Sequence, residues 1–267
     1  MKEILRYLIN KFYHLKYNPF YFRNKGMAIA WNGKKTYFKK ERLDFMKEAK
    51  ELGDKNWFKF LSSHINSSRS WEYFLAAKLI DYSFEDVVLD VGAYNTYFCN
   101  YLAKKVKKIY AIDNFYWSKR DYVIKKHSVP TPDEWITRVK SSGDKNLVIE
   151  KGDLSQLAYP DNYFNKVVAI SVIEHVIDDL TGFKEIKRVL KKNGSLVLTT
   201  EMSFNYHPYI EKTNKGEERF YRIYSYQRLI KLLKEMDFEL LGPDYLLETL
   251  KSRYPKVPVI IFLINKK

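Results

Sequence analysis

Residues 89–98 read LDVGAYNTYF, an apolar run that ends in Gly92 and continues into a segment rich in aromatic residues. The run is typical of a parallel strand that feeds a tight nucleotide-binding turn, because glycine permits both a turn and a close backbone approach. Tyr94 and Thr96 stand where such loops usually carry their next glycines. The rest of the sequence must therefore indicate whether this is a working cofactor loop.

Beyond about residue 70, short apolar runs alternate with amphipathic helices, as in an α/β protein whose parallel sheet is covered on both faces. The predicted helices span 70–81, 96–107, 181–192 and 225–236. The predicted strands span 87–91, 109–112, 147–150, 166–171, 195–200, 238–241 and 257–264. We expect Asn95 or Thr96 to cap the helix after the glycine turn, where helix amides favour an anion, and Gly194 to stop the third helix.

Two segments do not fit this alternation. Residues 114–145 are longer than one helix and its loops require, and residues 201–224 are polar and aromatic without a clear period. Both follow the carboxyl ends of predicted strands, where open α/β sheets bind their ligands. We therefore expect both insertions to lie on the substrate side.

Composition limits the class of protein. The 267 residues are 46% hydrophobic, which is enough for a substantial core. The single cysteine, Cys99, excludes an intrachain disulfide framework and favours a reducing compartment. No run approaches the roughly 20 apolar residues of a membrane helix, and charges interrupt the first residues too often for a signal peptide. A cytoplasmic protein without a transmembrane segment is expected.

The net charge of +15 is concentrated at the N-terminus, since residues 1–40 hold ten Lys or Arg and one acid, Glu3. Aromatic residues are interleaved with these charges. Such a segment can contact a membrane surface, follow a nucleic-acid backbone or close over a substrate, and a lysine-rich cap packed on the main domain is equally consistent. We interpret residues 1–68 as a basic, aromatic cap or lid and residues 69–267 as the main domain.

Four features occur in the order that a nucleoside cofactor requires. Gly92 supplies the turn, and Asp113, 21 residues later, ends the next strand where a carboxylate can accept from both ribose hydroxyls. Asp153 follows the third strand and can accept from an adenine amine. The fourth strand leads into Glu174 and His175 at the mouth of the sheet. Each signal is weak alone, and their joint order is much stronger.

Five stretches of the sequence contain recognisable motifs: VVLDVGAYNTYFCNYLA, IYAID, GDLSQLAYPDNYFNKVVAISVIEHV, FKEIKRVLKKNGSLVLTT and YSYQRLIKLLKEMDFELLG. With these motifs the chain resembles a class I S-adenosylmethionine (SAM)-dependent methyltransferase over residues 70–267. The resemblance implies a Rossmann-like, seven-stranded sheet of order 3-2-1-4-5-7-6 with an antiparallel last strand, helices on both faces and an N-terminal helical cap. The run at 68–74, SRSWEYF, resembles a helix that precedes this domain in some members.

The resemblance implies SAM as the cofactor. The cofactor-binding residues that it implies are Asp90, Gly92, Ala93, Tyr94, Asp113, Asn114, Asp153, Leu154 and Ser171. The departure from the family lies at Tyr94 and Thr96, where members usually carry glycine. A tyrosine at position 94 must turn its ring away from the cofactor or cover the site, and we expect binding to be retained.

Two histidines are candidate catalytic bases. His175 and His207 can each remove a proton from a hydroxyl near neutral pH. The Glu174–His175 pair is frequent among members with different substrates, which favours a scaffold or cofactor-side role. Glu174, His175 and His207 also resemble part of the metal-ligand set of small-RNA 2′-O-methyltransferases, but Ser171 stands where that family has another glutamate. No metal is expected.

The acceptor is less defined than the cofactor. Arg219, Tyr221, Arg222 and Tyr224 are candidates to line a lid over an anionic acceptor. A small-molecule or glycan acceptor methylated on oxygen is favoured, because no RNA-binding module is recognisable. The alternatives are an RNA methyltransferase and a degenerate, non-catalytic fold that binds nucleic acid or a membrane surface through residues 1–40. A nicotinamide dehydrogenase is weaker, because the loop lacks the later glycines of the dinucleotide fingerprint.

Overall fold

The computed structural model describes residues 28–30, 39–52, 55–64, 68–78, 80–116, 130–203, 207–212, 218–240 and 257–265. The helices within these residues are α1 Lys39–Glu51, α2 Lys55–His64, α3 Ser68–Lys78, α4 Phe98–Ala103, α5 Pro132–Lys140, α6 Asp179–Val189 and α7 Tyr226–Glu235. The strands are β1 Ala28–Ala30, β2 Val87–Val91, β3 Lys108–Asp113, β4 Leu147–Lys151, β5 Phe164–Ile170, β6 Leu190–Ser203, β7 His207–Lys212, β8 Glu218–Ser225, β9 Phe238–Leu240 and β10 Val257–Asn265.

The strands pair in the order β4-β3-β2-β5-β6-β10-β1. The five strands β4, β3, β2, β5 and β6 are mutually parallel, whereas β10 runs antiparallel to β6. Strand β9 also pairs antiparallel with β10, beyond the stretch that β1 occupies. The predicted α/β class and its helices on both faces are therefore confirmed. The sheet differs in detail from the seven strands expected, because β1, β7 and β8 extend it.

Alternating strand residues feed two hydrophobic clusters on opposite faces of the sheet. Val88 packs on one face with the residues of α3, α4 and α5, and Leu89 packs on the other with those of α6 and α7. Because both faces are covered, the strands read as nearly continuous apolar runs in the sequence. The carboxyl ends of the parallel strands therefore remain as the edge that can hold a ligand.

Helices α1 and α2 belong to the packed core on the α3 and α4 side. The Trp57 ring lies 5.4 Å from that of Tyr73 and 5.6 Å from that of Phe98, in edge and tilted geometries. The Phe45 ring lies 5.2 Å from that of Tyr101. This part of the predicted N-terminal cap therefore packs on the sheet domain through aromatic contacts, while most of the basic segment 1–40 lies outside the described residues.

Two expectations about helix ends are wrong. Helix α4 begins at Phe98 with Tyr97 at its N-cap and no side-chain cap bond, and the hydroxyl of Thr96 instead donates to the carbonyl of Ala93 at 2.9 Å. Neither Asn95 nor Thr96 caps it. Helix α6 ends at Val189, and Gly194 lies inside β6, which begins directly at Leu190. The register shift of β5 against β6 between Phe164 and Lys166 accommodates this early start.

Residues 201–224 are not irregular, since they contain the end of β6 and the antiparallel hairpin of β7 and β8. Strand β8 also runs parallel to the end of β6 at Met202 and Ser203. The sequence lacks an alternating pattern here because Tyr221 and Arg222, adjacent in β8, are both buried. Because Arg222 is charged although it is buried, the sequence of this strand resembles a polar segment.

Candidate functional site

The turn after β2 tolerates only glycine at position 92. Gly92 has φ of +73°, and a Cβ atom there would lie 2.3 Å from Cγ2 of Val172. The amides of Gly92 and Ala93 both donate to the carbonyl of Ile112 in β3, at 2.8 and 3.1 Å. The turn is thus fastened to β3 and packed against the residues that follow β5.

Tyr94 turns its side chain into the protein. Its ring makes edge contacts with Phe115 and Trp135 at centroid distances of 5.6 and 5.8 Å, and its hydroxyl donates to the carbonyl of Pro130. Tyr94 is 7% exposed, and its φ is not among the positive values. The position does not use the left-handed conformation that favours glycine.

Helix α5, which belongs to the 114–145 insertion, supports the packing of Tyr94. Its N-terminus is a capping box between Thr131 and Glu134, with Pro132 in the first turn. The indole nitrogen of Trp135 donates to the carbonyl of Thr96 at 2.7 Å. Sequence reasoning missed this helix, although TPDEW carries the signature of a capping box. The insertion therefore supports the glycine turn directly.

The predicted nucleoside ligands converge at the ends of β3 and β4. Asp113 accepts from the amides of Tyr94 at 3.2 Å and Phe115 at 2.6 Å. The side-chain amide of Asn114 donates to Asp153 at 3.3 Å. Asp113 is buried, whereas Asn114 and Asp153 are exposed, so the pair lies at the surface beside Asp113. Three residues separated by up to 40 positions thus share one edge.

The environments of the two aspartates differ. Burial raises the pKa of Asp113, while the amides of Phe115 and Tyr94 oppose this rise. Burial also raises the pKa of Asp153, but hydrogen bonds from Ser155 and Asn114 outweigh it and lower the pKa overall. Leu154 is 5% exposed and packs in the core against α6, so only its backbone can contact a cofactor.

Asp90 and Ser171 lie at the ends of β2 and β5. Asp90 is 3% exposed, and its Oδ2 has no hydrogen-bond partner among the residues that the structure describes. Burial, with a smaller contribution from Asp113, raises the pKa of Asp90 to about 8. Ser171 has φ of +52°, and its amide donates to the hydroxyl of Thr199 at 2.9 Å. A buried carboxylate oxygen without a donor indicates a place for a ligand's ammonium or hydroxyl group.

A second carboxylate lies just beyond Ser171. Glu174, in the 3₁₀ turn Ile173–His175, is 2% exposed, and its Oε2 lacks a partner within the described part of the chain. Burial raises its pKa to about 7, and Arg69 and Glu72 of α3 act on it electrostatically. Arg69 pairs with Glu72 at 3.1 Å. Sequence reasoning missed these two residues, because their proximity to Glu174 is created by the fold.

The two histidines are both associated with β8. The ring of His175 lies 5.2 Å from that of Tyr221, tilted by 57°. His207 opens β7, and its backbone pairs with Ile223. The side chain of His207 lies outside what the structure describes.

Arg222 and Tyr224 do not line an acceptor lid. Arg222 is 4% exposed and donates to the carbonyls of Val176 and Ile177, each at 2.8 Å. Tyr224 is fully buried and donates to Asp179 at 3.0 Å. Both side chains are committed to internal contacts. Arg222 instead fixes the segment that follows Glu174 and His175, and the side chain of Arg219 lies outside the described residues.

Neither a metal cluster nor a membrane span was found in the part of the chain that the structure describes. Within the described residues no group of three or more His, Cys, Asp or Glu side chains could hold a metal ion. None of the helices described has the length and apolar character needed to cross a bilayer.

Comparison with known proteins shows similarity to methyltransferases. Residues 89–198 match the family model described as a methyltransferase domain. The chain is 26% identical over 137 residues to a ubiquinone/menaquinone biosynthesis C-methyltransferase of Cupriavidus metallidurans, covering 47% of this chain and 53% of that one. The chain thus spans about half the length of this curated relative.

Solved structures share the fold. A proposed SAM-dependent methyltransferase of Listeria monocytogenes is similar with a TM-score of 0.57 and 17% identity over 74% of this chain and 100% of the other. A SAM-dependent methyltransferase of Mesorhizobium loti has a TM-score of 0.52 and 13% identity, with coverage of 71% and 95%.

The described residues fit SAM. Its ribose hydroxyls, adenine amine and ammonium group are hydrogen-bond donors, and the edge of the sheet offers three carboxylates, Asp113, Asp153 and Asp90, beside a turn that admits only glycine. The match of residues 89–198 to a methyltransferase domain, the fold and this set of acceptors together support a class I SAM-dependent methyltransferase domain with SAM as its cofactor.

Proposed function

We propose that this protein transfers a methyl group from SAM to oxygen on a small-molecule or glycan acceptor. The observation that carries the proposal is the convergence of Gly92, Asp113 and Asp153 at the carboxyl edge of the sheet, with buried Asp90 beside them. SAM supplies a methyl group already activated by its sulfonium. The chain's own residues then have to bind, align the acceptor and exclude water.

Each predicted site residue has a proposed role. Asp113 accepts from the ribose hydroxyls, Asp153 from the adenine amine and Asp90 from the cofactor ammonium. Gly92, Ala93, Tyr94, Asn114, Leu154 and Ser171 shape the walls through their backbone or rim positions. His175 or His207 is the candidate base. The buried, unpartnered oxygen of Asp90 supports its role most directly.

The N-terminal region is proposed as a cap on this site. Residues 39–64 contribute α1 and α2 to the same core cluster as Tyr94 and Phe98. This packing supports a role in covering the domain rather than in tethering it at a distance. Contact of residues 1–40 with membrane or nucleic acid is the alternative for the basic segment.

The test is calorimetric titration with SAM and S-adenosylhomocysteine of the intact protein, Asp113→Ala and Glu235→Gln. Loss of the ribose acceptor should weaken binding by at least tenfold, about 1.4 kcal/mol. The control alters an exposed carboxylate on α7, which pairs with Lys231 at 3.7 Å, and should bind as the intact protein does. Absence of binding by the folded, unaltered protein would instead support the non-catalytic alternative.

Methylation of carbon is a second candidate. The match to a C-methyltransferase of ubiquinone/menaquinone biosynthesis favours it, at 26% identity over about half of that protein. Mass spectrometry of products from candidate acceptors, with methyl-labelled SAM, separates the two. An acid-stable methyl on ring carbon would decide for the second candidate.

A further inference from the structure

A small group of charged side chains lies near the glycine turn. It comprises Glu72 of α3 and Glu174 of the 3₁₀ turn, with Arg69 as its cation. Arg69 pairs with Glu72 and acts electrostatically on Glu174, and Tyr73 is linked to both Arg69 and Asp90. Glu72 and Glu174 therefore share the guanidinium of Arg69.

The residues on either side of Glu174 fix its position relative to the glycine turn. Val172, two residues before it, leaves no room for a Cβ on Gly92. On the far side, Arg222 holds the carbonyls of Val176 and Ile177. Glu174 is thus held between two fixed points, and its position relative to the glycine turn is set by packing.

The state of this carboxylate points to a ligand. Glu174 is 2% exposed, and its Oε2 has no partner within the described residues. A buried carboxylate oxygen without a donor is unfavourable unless a ligand provides one. The donor must be a group that bears a proton, because a carboxylate has acceptor atoms only.

We propose that Glu174 receives the proton of the acceptor, so that this site takes a hydroxyl or amino group rather than an anionic oxygen. This inference rests on the proposed function, and in it Glu174 takes the place of His175 and His207 as the base. A lone pair on the acceptor oxygen or nitrogen forms the bond to the methyl carbon, and the carbon–sulfur bond breaks with its electrons left on sulfur. The acceptor's proton passes to Oε2 of Glu174, and an ionised carboxylate or phosphate oxygen at this point would have no proton to give.

The inference can be tested with sinefungin, a SAM analogue that carries an amine where SAM carries its transferable methyl. Its N–H groups would lie where the acceptor meets the methyl, whereas S-adenosylhomocysteine has no group there. Dissociation constants of both compounds are measured by calorimetry for the intact protein, Glu174→Gln and the control Glu235→Gln. Glutamine keeps the shape of the side chain and removes its charge.

We expect Glu174→Gln to weaken the binding of sinefungin at least tenfold and the binding of S-adenosylhomocysteine less than about threefold. Glu235→Gln should change neither. Equal losses for both compounds, or no loss for sinefungin, would overturn the inference and leave the proposed function standing. Failure of the intact protein to bind S-adenosylhomocysteine would overturn both.

The pH profile supplies a second readout. The preference of the intact protein for sinefungin should fall as pH drops through about 7, where Glu174 becomes protonated. Arg69, Glu72 and Asp90 remain in Glu174→Gln, so their titration is common to both proteins. A profile that is unchanged by the substitution would contradict the assignment.

Discussion

The guanidinium of Arg222 donates to the carbonyl oxygen of Val176 at 2.8 Å, joining the β7–β8 hairpin to the segment that carries Glu174 and His175. A second nitrogen of the guanidinium donates to the carbonyl oxygen of Ile177 at 2.8 Å. The Nε atom of Arg222 lies 3.5 Å from Oδ2 of Asp179. One buried side chain therefore replaces the regular backbone pairing that this segment lacks.

Arg222→Met should destabilise the protein by about 3 kcal/mol, because two partly buried hydrogen bonds lose their donor and Asp179 loses one cation. Urea unfolding measures the change. Lys231→Met is the control, since its ion pair with Glu235 is exposed and contributes less than about 1 kcal/mol. Equal effects of the two substitutions would show that Arg222 does not hold this segment.

Gly92→Ala should destabilise the protein by roughly 3 kcal/mol, from a positive φ and a clash with Val172. Gly143→Ala is the matched control, since Gly143 has φ of +71° but nothing lies within 4 Å of the position that its Cβ atom would take. It should lose only about 1 kcal/mol. Thermal unfolding of both variants, and of Gly92→Ala combined with Val172→Ala, separates backbone strain from the clash. No rescue in the double variant would refute the steric part.

Tyr94→Gly restores the residue usual in this family but should not improve cofactor binding. The ring's contacts with Phe115 and Trp135 are lost, at a cost of about 3 kcal/mol or more in stability. The SAM dissociation constant should stay within about threefold, since the ring packs towards α5. Tighter binding by tenfold or more would mean that Tyr94 obstructs the site. Tyr94→Phe, which removes only the hydroxyl bonded to Pro130, should lose about 1 kcal/mol.

The buried Glu174 should make the cofactor-free protein less stable above neutral pH. Its pKa in the folded state is about 7, above the ordinary value of 4.5, so the unfolded chain loses this proton first. The resulting loss of stability develops between about pH 4.5 and 7 and is complete above that range. Glu174→Gln should therefore be more stable than the intact protein by roughly 3 kcal/mol at pH 8 and by little at pH 4.5. Urea unfolding from pH 4.5 to 8 measures the free energy of unfolding of both proteins. A difference between them that does not change with pH would contradict the raised pKa of Glu174.

Local sequence patterns were sufficient for the parallel sheet and the nucleoside side of the site. The strand at Val87–Val91 was predicted with its observed bounds, and Gly92, Asp113 and Asp153 meet because parallel strands end at a common edge. The roles assigned to these residues remain predictions. Arg69, Glu72 and Trp135 escaped notice because their contacts with Glu174 and Thr96 are made across long separations in sequence.

The errors have a common physical origin. The hairpin of β7 and β8 was hidden because a charged residue, Arg222, occupies a buried position, which periodicity arguments read as solvent-exposed. The end of α6 was misplaced because Gly194 was taken as a stop, whereas the chain passes directly from helix to strand at Leu190. In both cases tertiary contacts override local preference.

The conformation of Tyr94 bears on how such domains are recognised in genomes. A search pattern that demands three alternating glycines would discard this chain, although only Gly92 meets a steric limit in the described turn. A pattern that fixes this one glycine, leaves the next positions free and requires an acid at the end of the following strand would retain it. Divergent members with aromatic residues in this loop can be collected on that criterion and tested for an equivalent of Trp135.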